Sequence, residues 1–195
     1  MGKSTEKKLN TIRINAGEWR SRVLKFPDAT GLRPTPERVR QTVFNWLGQD
    51  LTGFTCLDLF AGTGVMGFEA LSRGASAVAL IEKNIPAYKA LLENKQLLNA
   101  THATILAQDA LQFIKGNTLK FDLIFLDPPY HQQWLHKVLP LIVSQLQPDG
   151  SVYVEAEFAL DTAPDLMVDW QVVKQSKAGN VYYHLLKLAN DASIA

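Results

Sequence analysis

The sequence predicts an α/β protein with a mostly parallel sheet and helices on both of its faces. Three observations carry that reading. From Phe54 onward, short apolar runs alternate with longer helix-patterned segments, the signature of βα units. A glycine loop, Asp58-Leu59-Phe60-Ala61-Gly62-Thr63-Gly64-Val65-Met66-Gly67, follows the first run and opens a helix. The run Phe121-Asp122-Leu123-Ile124-Phe125-Leu126 ends in Asp127-Pro128-Pro129-Tyr130. An apolar run bounded by prolines reads as a buried parallel strand, and the carboxyl end of such a strand is where an open α/β sheet builds its sites.

The elements follow in order. Residues 12–26 alternate around a turn at Asn15-Ala16-Gly17 and read as a hairpin, on which Arg20 and Arg22 share a strand face. Pro27 to Pro36 is a turn-rich linker. A helix then starts with Thr35 as N-cap, Pro36 at its first position and Glu37 near its positive end. Val39, Val43, Phe44, Trp46 and Leu47 form its apolar face, and Gly48 stops it. Strands read at 54–59, 77–82, 103–107, 121–126 and 151–155, with helices near 64–73, 84–99, 109–115 and 132–146. Further strands at 170–174 and 181–187 follow no good helix, so a terminal antiparallel hairpin is expected.

With 195 residues, 47% of them apolar, the chain forms one domain with a full core. Cys56, the one cysteine, lies in an apolar run and reads as a core residue, and a chain with one thiol has no internal disulfide. No signal peptide and no apolar run long enough for a bilayer is found, and a cytoplasmic protein is expected. The net charge of +1 is unevenly placed: residues 1–48 carry +6 and the remainder −5. That split suggests a basic arm for a polyanion beside a near-neutral body, or a merely solvated basic segment. The polar start over 1–10 reads as flexible.

The strand-end tetrapeptide offers a carboxylate, free carbonyl oxygens and an aromatic plane, because its prolines remove two N–H donors. Such a site accepts hydrogen bonds and stacks on flat rings, which suits an amino group on a nucleobase. The glycine loop has two readings. Gly62, Gly64 and Gly67 satisfy G-x-G-x-x-G, and Glu82 ends the next strand 18 residues after Gly64, as in a dinucleotide site. A nicotinamide-dependent oxidoreductase is therefore an alternative. Asp58 speaks against it, since a carboxylate there repels a pyrophosphate on the helix N-terminus. It suits S-adenosylmethionine, which has an ammonium and no phosphate. Asp58 accepts from that ammonium, the loop N–H groups meet the carboxylate and Glu82 bridges the ribose hydroxyls. Asp109 follows the third strand, placed for the adenine amino group and equally for the N-cap of the helix at 110–115.

The glycine loop and the Asp-Pro-Pro-Tyr motif together resemble the class I S-adenosylmethionine-dependent amino-methyltransferases. Arg13-Ile14-Asn15-Ala16-Gly17-Glu18-Trp19-Arg20-Ser21-Arg22, Leu32-Arg33-Pro34-Thr35-Pro36-Glu37-Arg38-Val39-Arg40 and Phe44-Asn45-Trp46-Leu47 narrow the resemblance. With the tail Ala178-Gly179-Asn180-Val181, they are similar to the bacterial 16S ribosomal RNA guanine-N2 methyltransferases of the RsmD type, which act on guanine-966. The resemblance implies a Rossmann-like class I methyltransferase fold with a seven-stranded sheet and a small N-terminal hairpin and helix extension. It divides the chain into a flexible start (1–10), a hairpin and helix that cap RNA and cofactor (11–50) and the methyltransferase domain (51–195).

The resemblance also implies roles. Asp127 and the Pro128 carbonyl accept the amino N–H bonds of the target guanine, and Tyr130 stacks on the base. The cofactor residues are Asp58, Phe60, Ala61, Gly62, Thr63, Gly64, Glu82, Asp109 and Ala110, with Thr35 and Arg40 touching the methionine end. Arg13, Arg20, Arg22 and Arg33 are RNA contacts, with nonspecific attraction from Lys7 and Lys8. The partner is 16S rRNA within small-subunit ribosomal particles, with no membrane, no metal and a monomeric enzyme. His131 and His136 are five apart and do not share a helix face as zinc ligands would. Glu155 and Glu157 share a strand face near a sheet end, either edging the site or solvated. An adenine-N6 DNA methyltransferase uses the same motif, and an RNA-binding assembly factor with a vestigial fold is the non-enzymatic alternative.

Overall fold

The computed structural model describes residues 9–28, 32, 34–130 and 132–189. Arg33, His131, Lys7, Lys8 and most of the basic start lie outside the described residues. The chain opens with a hairpin of β1 (Leu9–Arg13) and β2 (Val23–Pro27), followed by α1 (Glu37–Leu47). Then come β3 (Thr55–Asp58), α2 (Val65–Ser72), β4 (Ala77–Ile81), α3 (Ile85–Leu98), β5 (Ala103–Leu106), α4 (Ala110–Gly116), β6 (Phe121–Leu126) and α5 (Trp134–Ile142). The chain finishes with β7 (Leu146–Ala156), β8 (Trp170–Ala178) and β9 (Val181–Leu188). The seven-stranded sheet has the order β5-β4-β3-β6-β7-β9-β8. β3 to β7 pair in parallel, while β9 runs antiparallel to both β7 and β8. The terminal antiparallel pair is the one the missing helix implies.

Alternation along the strands splits the core in two. Cys56, Leu123, Phe125, Tyr153 and Tyr183 face one layer with Val43 and Phe44 of α1, Phe68 of α2 and Leu91 of α3. Leu57, Ile124, Leu126, Val152 and Val154 face the other, with Phe113 of α4 and Val138 and Leu139 of α5. Asp122 interrupts an apolar strand because it ties two strand starts together: its Oδ2 accepts from the Thr55 N–H and the Thr55 hydroxyl, each at 2.8 Å.

The N-terminal extension is part of the first layer. Ile14 and Leu24 are buried in it, and Trp46 stacks on Tyr183 with ring centroids 5.4 Å apart. The connection between β1 and β2 is a long loop over 14–22 rather than a tight turn at 15–17. It docks on the end of α2: Glu18 N–H donates to the Ser72 carbonyl at 2.7 Å, and the Ser72 hydroxyl donates to the Ala16 carbonyl at 2.6 Å. Gly17 permits that approach, with φ of +80°; a Cβ there would lie 1.7 Å from the Ser72 carbonyl oxygen. Arg20 and Arg22 therefore sit on this loop and share no strand face, which corrects the sequence expectation.

Two boundaries also differ. Thr35 does not cap α1: Pro36 occupies the cap position with no side-chain bond, and Thr35 is buried. Gly48 ends α1 as expected, in the left-handed region at φ 94°. The helix expected over 132–146 ends at Ile142, passes through a 3-10 turn at Val143–Gln145 and gives way to β7. The pairing of β7 with β6 jumps from Leu146–Phe121 to Ser151–Leu123, so residues 147–150 form an irregularity around Pro148 and Gly150 that hides the early start of the strand.

Candidate active site

Four parallel strands, in the spatial order β4, β3, β6, β7, deliver a carboxylate to their carboxyl ends: Glu82, Asp58, Asp127 and Glu155. The strand registers explain the grouping. Asp58 pairs with Phe125 and Val154 with Leu126, which sets Asp127 beside Glu155. Alternation from Cys56, Phe125 and Tyr153 turns Asp58, Asp127 and Glu155 toward the α1 layer.

Asp58 is buried, and its Oδ2 accepts the Gly67 N–H of the first turn of α2 at 3.2 Å. It thus serves one orphan donor of that helix, the cap-like role, and keeps its other oxygen. Burial pushes its carboxyl up to about 7, the Gly67 bond works against the shift and the charge of Glu82 adds to it. Glu82 is held by two backbone donors, Gly62 N–H at 2.8 Å and Asn84 N–H at 2.6 Å. The loop between them is largely self-satisfied. Ala61 N–H donates to the Ile81 carbonyl, Gly64 N–H to the Ala61 carbonyl and Val65 N–H to the Thr63 hydroxyl. The expectation that loop N–H groups meet a ligand carboxylate is narrowed accordingly, since those of Ala61, Gly62 and Gly64 donate within the protein. Gly64 holds φ 74° at the start of α2, where a Cβ would lie 2.4 Å from Leu91.

Asp109 takes the N-cap of α4, accepting the Leu111 N–H at 3.0 Å through Oδ1. Its Oδ2 lies 3.8 Å from Lys83 Nζ. Ala110 is buried beside it. Phe60 meets Trp134 edge to face at 5.3 Å, so Trp134 walls this side of the loop.

Asp127 is half-buried, Pro128 buried, Pro129 exposed and Tyr130 half-buried. Desolvation raises the Asp127 carboxyl well above the usual range, and the charges of Glu155 and Asp58 raise it further. Glu155 is buried and also raised by desolvation, against which hydrogen bonds from Tyr153 and Thr35 act. The Tyr153 hydroxyl donates to Glu155 Oε1 at 2.7 Å. Sequence reasoning left Glu155 and Glu157 undecided and did not single out Tyr153; Glu155 is buried, while Glu157 lies past β7 and is exposed. The signal for Glu155 is the Tyr153-Val154-Glu155 alternation, polar on one face of a buried strand.

Arg40 is corrected from cofactor contact to structural clamp. Its Nε donates to the Thr35 carbonyl at 3.2 Å, and its Nη1 donates to the Arg13 carbonyl at 2.9 Å and to Glu69 at 2.6 Å. Glu69 also pairs with Arg73 at 2.7 Å, and all three side chains are buried. Arg13, Arg20 and Arg22 are exposed around the hairpin loop. Arg13 bonds the Ser21 carbonyl and Arg22 bonds the Leu97 carbonyl at the end of α3.

A sheet of this order, with a glycine loop after its first strand and an Asp-Pro-Pro-Tyr turn after its fourth, defines a class I methyltransferase. Solved structures agree. The Escherichia coli yhhF structure superposes with a TM-score of 0.82 at 34% identity, covering 92% of this chain and 98% of that one. The Haemophilus influenzae HI0767 structure gives 0.75 at 35% identity, covering 92% and 99%. The chain belongs to the RsmD-type family described as Conserved hypothetical protein 95, which matches residues 12–187. Two relatives are named Ribosomal RNA small subunit methyltransferase D. That of Escherichia coli K12 is 37% identical over 176 residues, 89% of this chain and 88% of its own length. That of Haemophilus influenzae is 38% identical over 180 residues, 89% and 92%.

Proposed function

We propose that this protein transfers a methyl group from S-adenosylmethionine to the exocyclic N2 of one guanine, the guanine-966 type, in 16S ribosomal RNA of small-subunit particles. The observation that carries the reading is the half-buried Asp127 at the end of β6, followed by two prolines and Tyr130 and set beside Asp58. The names of the relatives support the rRNA substrate.

The residues at the strand ends fit the methyl donor. The four carboxylates there, with Asp58 raised by burial to about 7, suit a cationic ligand and repel a pyrophosphate. Asp58 would face the ammonium, Glu82 the ribose hydroxyls and Asp109 the adenine amino group, with Phe60, Ala61, Gly62, Thr63, Gly64 and Ala110 as walls. When bound, the donor supplies a methyl group on a positively charged sulfur.

The protein's task is the acceptor. The guanine amino nitrogen is a poor nucleophile because its lone pair is delocalised into the ring. Asp127 and the Pro128 carbonyl accept its two N–H bonds, turn the lone pair out of the ring plane and stabilise the charge that develops on nitrogen. Tyr130 stacks on the base after it leaves its own stack, worth roughly 1–3 kcal/mol by the benchmark for base stacking. Arg13, Arg20, Arg22 and Arg33 provide phosphate contacts, so RNA binding weakens with salt. The enzyme acts as a monomer in the cytoplasm, where the particles are.

The test is transfer of labelled methyl to small-subunit particles from cells lacking this enzyme, followed by nucleoside analysis. N2-methylguanosine at a single site is the expected product. No incorporation by protein that binds both donor and RNA would sink the reading, and N6-methyladenine in a DNA control would replace it.

A further inference from the structure

The arginines of the hairpin loop lie at the opposite end of the sheet from Asp127. Arg22 bonds the Leu97 carbonyl, and the loop that carries Arg20 and Arg22 docks on Ser72. Leu97 and Ser72 belong to the last turns of α3 and α2. These helices join parallel neighbours, so they return the chain from the carboxyl ends of the strands to the amino ends. α3 has 14 residues, which puts Arg22 roughly 20 Å below the level of the strand-end carboxylates. A nucleotide swung out of its stack needs its neighbours held close to the pocket. The four carboxylates there repel phosphate, and residues 49–195 carry a net charge of −5. The hairpin arginines are too far away to offset that.

Among the described residues, three lysines stand on aromatic rings, and all three lie at the carboxyl ends of the strands. Lys137 is exposed on the first turn of α5. Its Nζ lies 5.4 Å from the Trp134 ring centroid and donates to the Gln132 carbonyl at 3.3 Å. Trp134 meets Phe60, which follows β3, so this pair stands on the β3 side of Asp127. Lys177 is exposed near the end of β8. Its Nζ lies 4.4 Å from the Tyr182 ring centroid and donates to the Tyr182 hydroxyl at 2.9 Å. Tyr182 is paired with Lys177 on one side and with Ala156 of β7 on the other. Continuing the Leu126–Val154 register sets Ala156 level with Pro128. At about 4.8 Å between strands, the backbone of Tyr182 is about 10 Å from Pro128 and that of Lys177 about 15 Å. The segment Ala178-Gly179-Asn180-Val181 is thus a hairpin tip beside the pocket, with Gly179 in the left-handed region at φ 61°. Lys83 also faces Trp134, but its ammonium lies 3.8 Å from Asp109, on the donor side.

A ring fixes an ammonium in place without neutralising it, as a carboxylate would. An ammonium has three N–H groups, and Lys137 and Lys177 each spend one on the described residues. We propose that Lys137 and Lys177, fixed by Trp134 and Tyr182 on the two sides of the Asp127 pocket, hold the RNA phosphates that flank the target nucleotide. The inference rests on the methyltransferase reading of that pocket and adds how its substrate is held there. The hairpin arginines then serve a more distant part of the same RNA.

The test is the salt dependence of binding between the full chain and small-subunit particles from cells lacking this enzyme. Wild type is compared with Lys137→Gln/Lys177→Gln, with Lys137→Arg/Lys177→Arg and with Lys115→Gln, a lysine in the last turn of α4 at the amino ends of the strands. Loss of both lysines is expected to flatten the plot of log Kd against log salt by about 1.4, at about 0.7 for each single-strand phosphate. KM for particles rises about tenfold, while kcat and the Kd for S-adenosylmethionine stay within about twofold. The arginine pair keeps the wild-type slope, and so does Lys115→Gln. A wild-type slope and KM in the folded glutamine double variant overturn the proposal. Weaker binding with an unchanged slope assigns the lysines to a protein of the particle, and an equal loss of slope per lysine in Lys115→Gln makes the effect one of overall charge; either result overturns it too. Should the double variant fail to fold, the two single glutamine variants are read in the same way. Binding needs no turnover, so a failure of the methyltransferase reading shows separately, as absent transfer by wild-type protein that binds the particles.

Discussion

In the proposed reaction Asp127 meets the amino group among charges of its own sign, and this sets what each substitution there does. Asp127→Ala removes the acceptor for the amino N–H and is expected to cost about 10²–10³-fold or more in single-turnover methyl transfer, the scale for losing one preorganised electrostatic contact. Asp127→Asn keeps one acceptor oxygen and falls between. Binding of S-adenosylmethionine, measured by calorimetry, survives in both. Asp58 has a different signature. With its carboxyl raised by burial to about 7, it loses charge as pH falls through neutrality, and the anion holds an ammonium far better than the neutral acid does. Affinity for S-adenosylmethionine therefore weakens as pH falls from 8 to 6, and Asp58→Asn flattens that dependence. A flat wild-type profile would remove Asp58 from the ammonium site. These two residues were legible in the sequence because each follows an apolar run at a strand end. Thr35 and Arg40 were not: Thr35 precedes α1 without capping it, and Arg40 is taken up by Glu69 on another helix.

At the level of elements, α1 and α2 are joined by one buried carboxylate between two guanidinium groups, Arg40–Glu69–Arg73, with Arg73 also 4.3 Å from the Phe44 ring centroid. Glu69→Gln leaves buried positive charge uncompensated. It is expected to lose about 3–5 kcal/mol of stability in urea unfolding, the cost typical of breaking a buried pair from one side. A loss below about 1 kcal/mol would mean that the helices are joined by packing alone. The βα alternation and the terminal hairpin were readable because strand and helix periods differ. The start of β7 was hidden by Gln147-Pro148-Asp149-Gly150, which reads as a turn and is in fact an irregularity inside a longer strand. The hairpin loop was misjudged because its shape is set by Ser72 on α2, a partner that local pattern does not announce.

Across the whole molecule, acid sensitivity has an identifiable source at the junction of the sheet with the turn after β7. His184 on β9 is fully buried, and its Nε2 accepts the Leu160 N–H at 3.2 Å, which needs the neutral ring. Burial lowers its folded value below the usual one, with Asp161 opposing. The unfolded chain therefore binds the proton more readily. Stability is full above about 6.5 and is lost as pH falls from there through the lowered folded value. The urea midpoint should drop between pH 7.5 and 5.5, and His184→Gln should reduce that drop; an unchanged slope would assign the acid sensitivity to other groups.

The stacking of Trp46 on Tyr183 has a consequence for how the protein is made. The hairpin loop and α1 meet Ser72 and Glu69 of α2 soon after they are synthesised, whereas Trp46 waits for a residue of β9. Long-range closures of this kind are slow. The nascent chain thus seats the extension on α2 first, and the stack on Tyr183 closes only once β9 has been made.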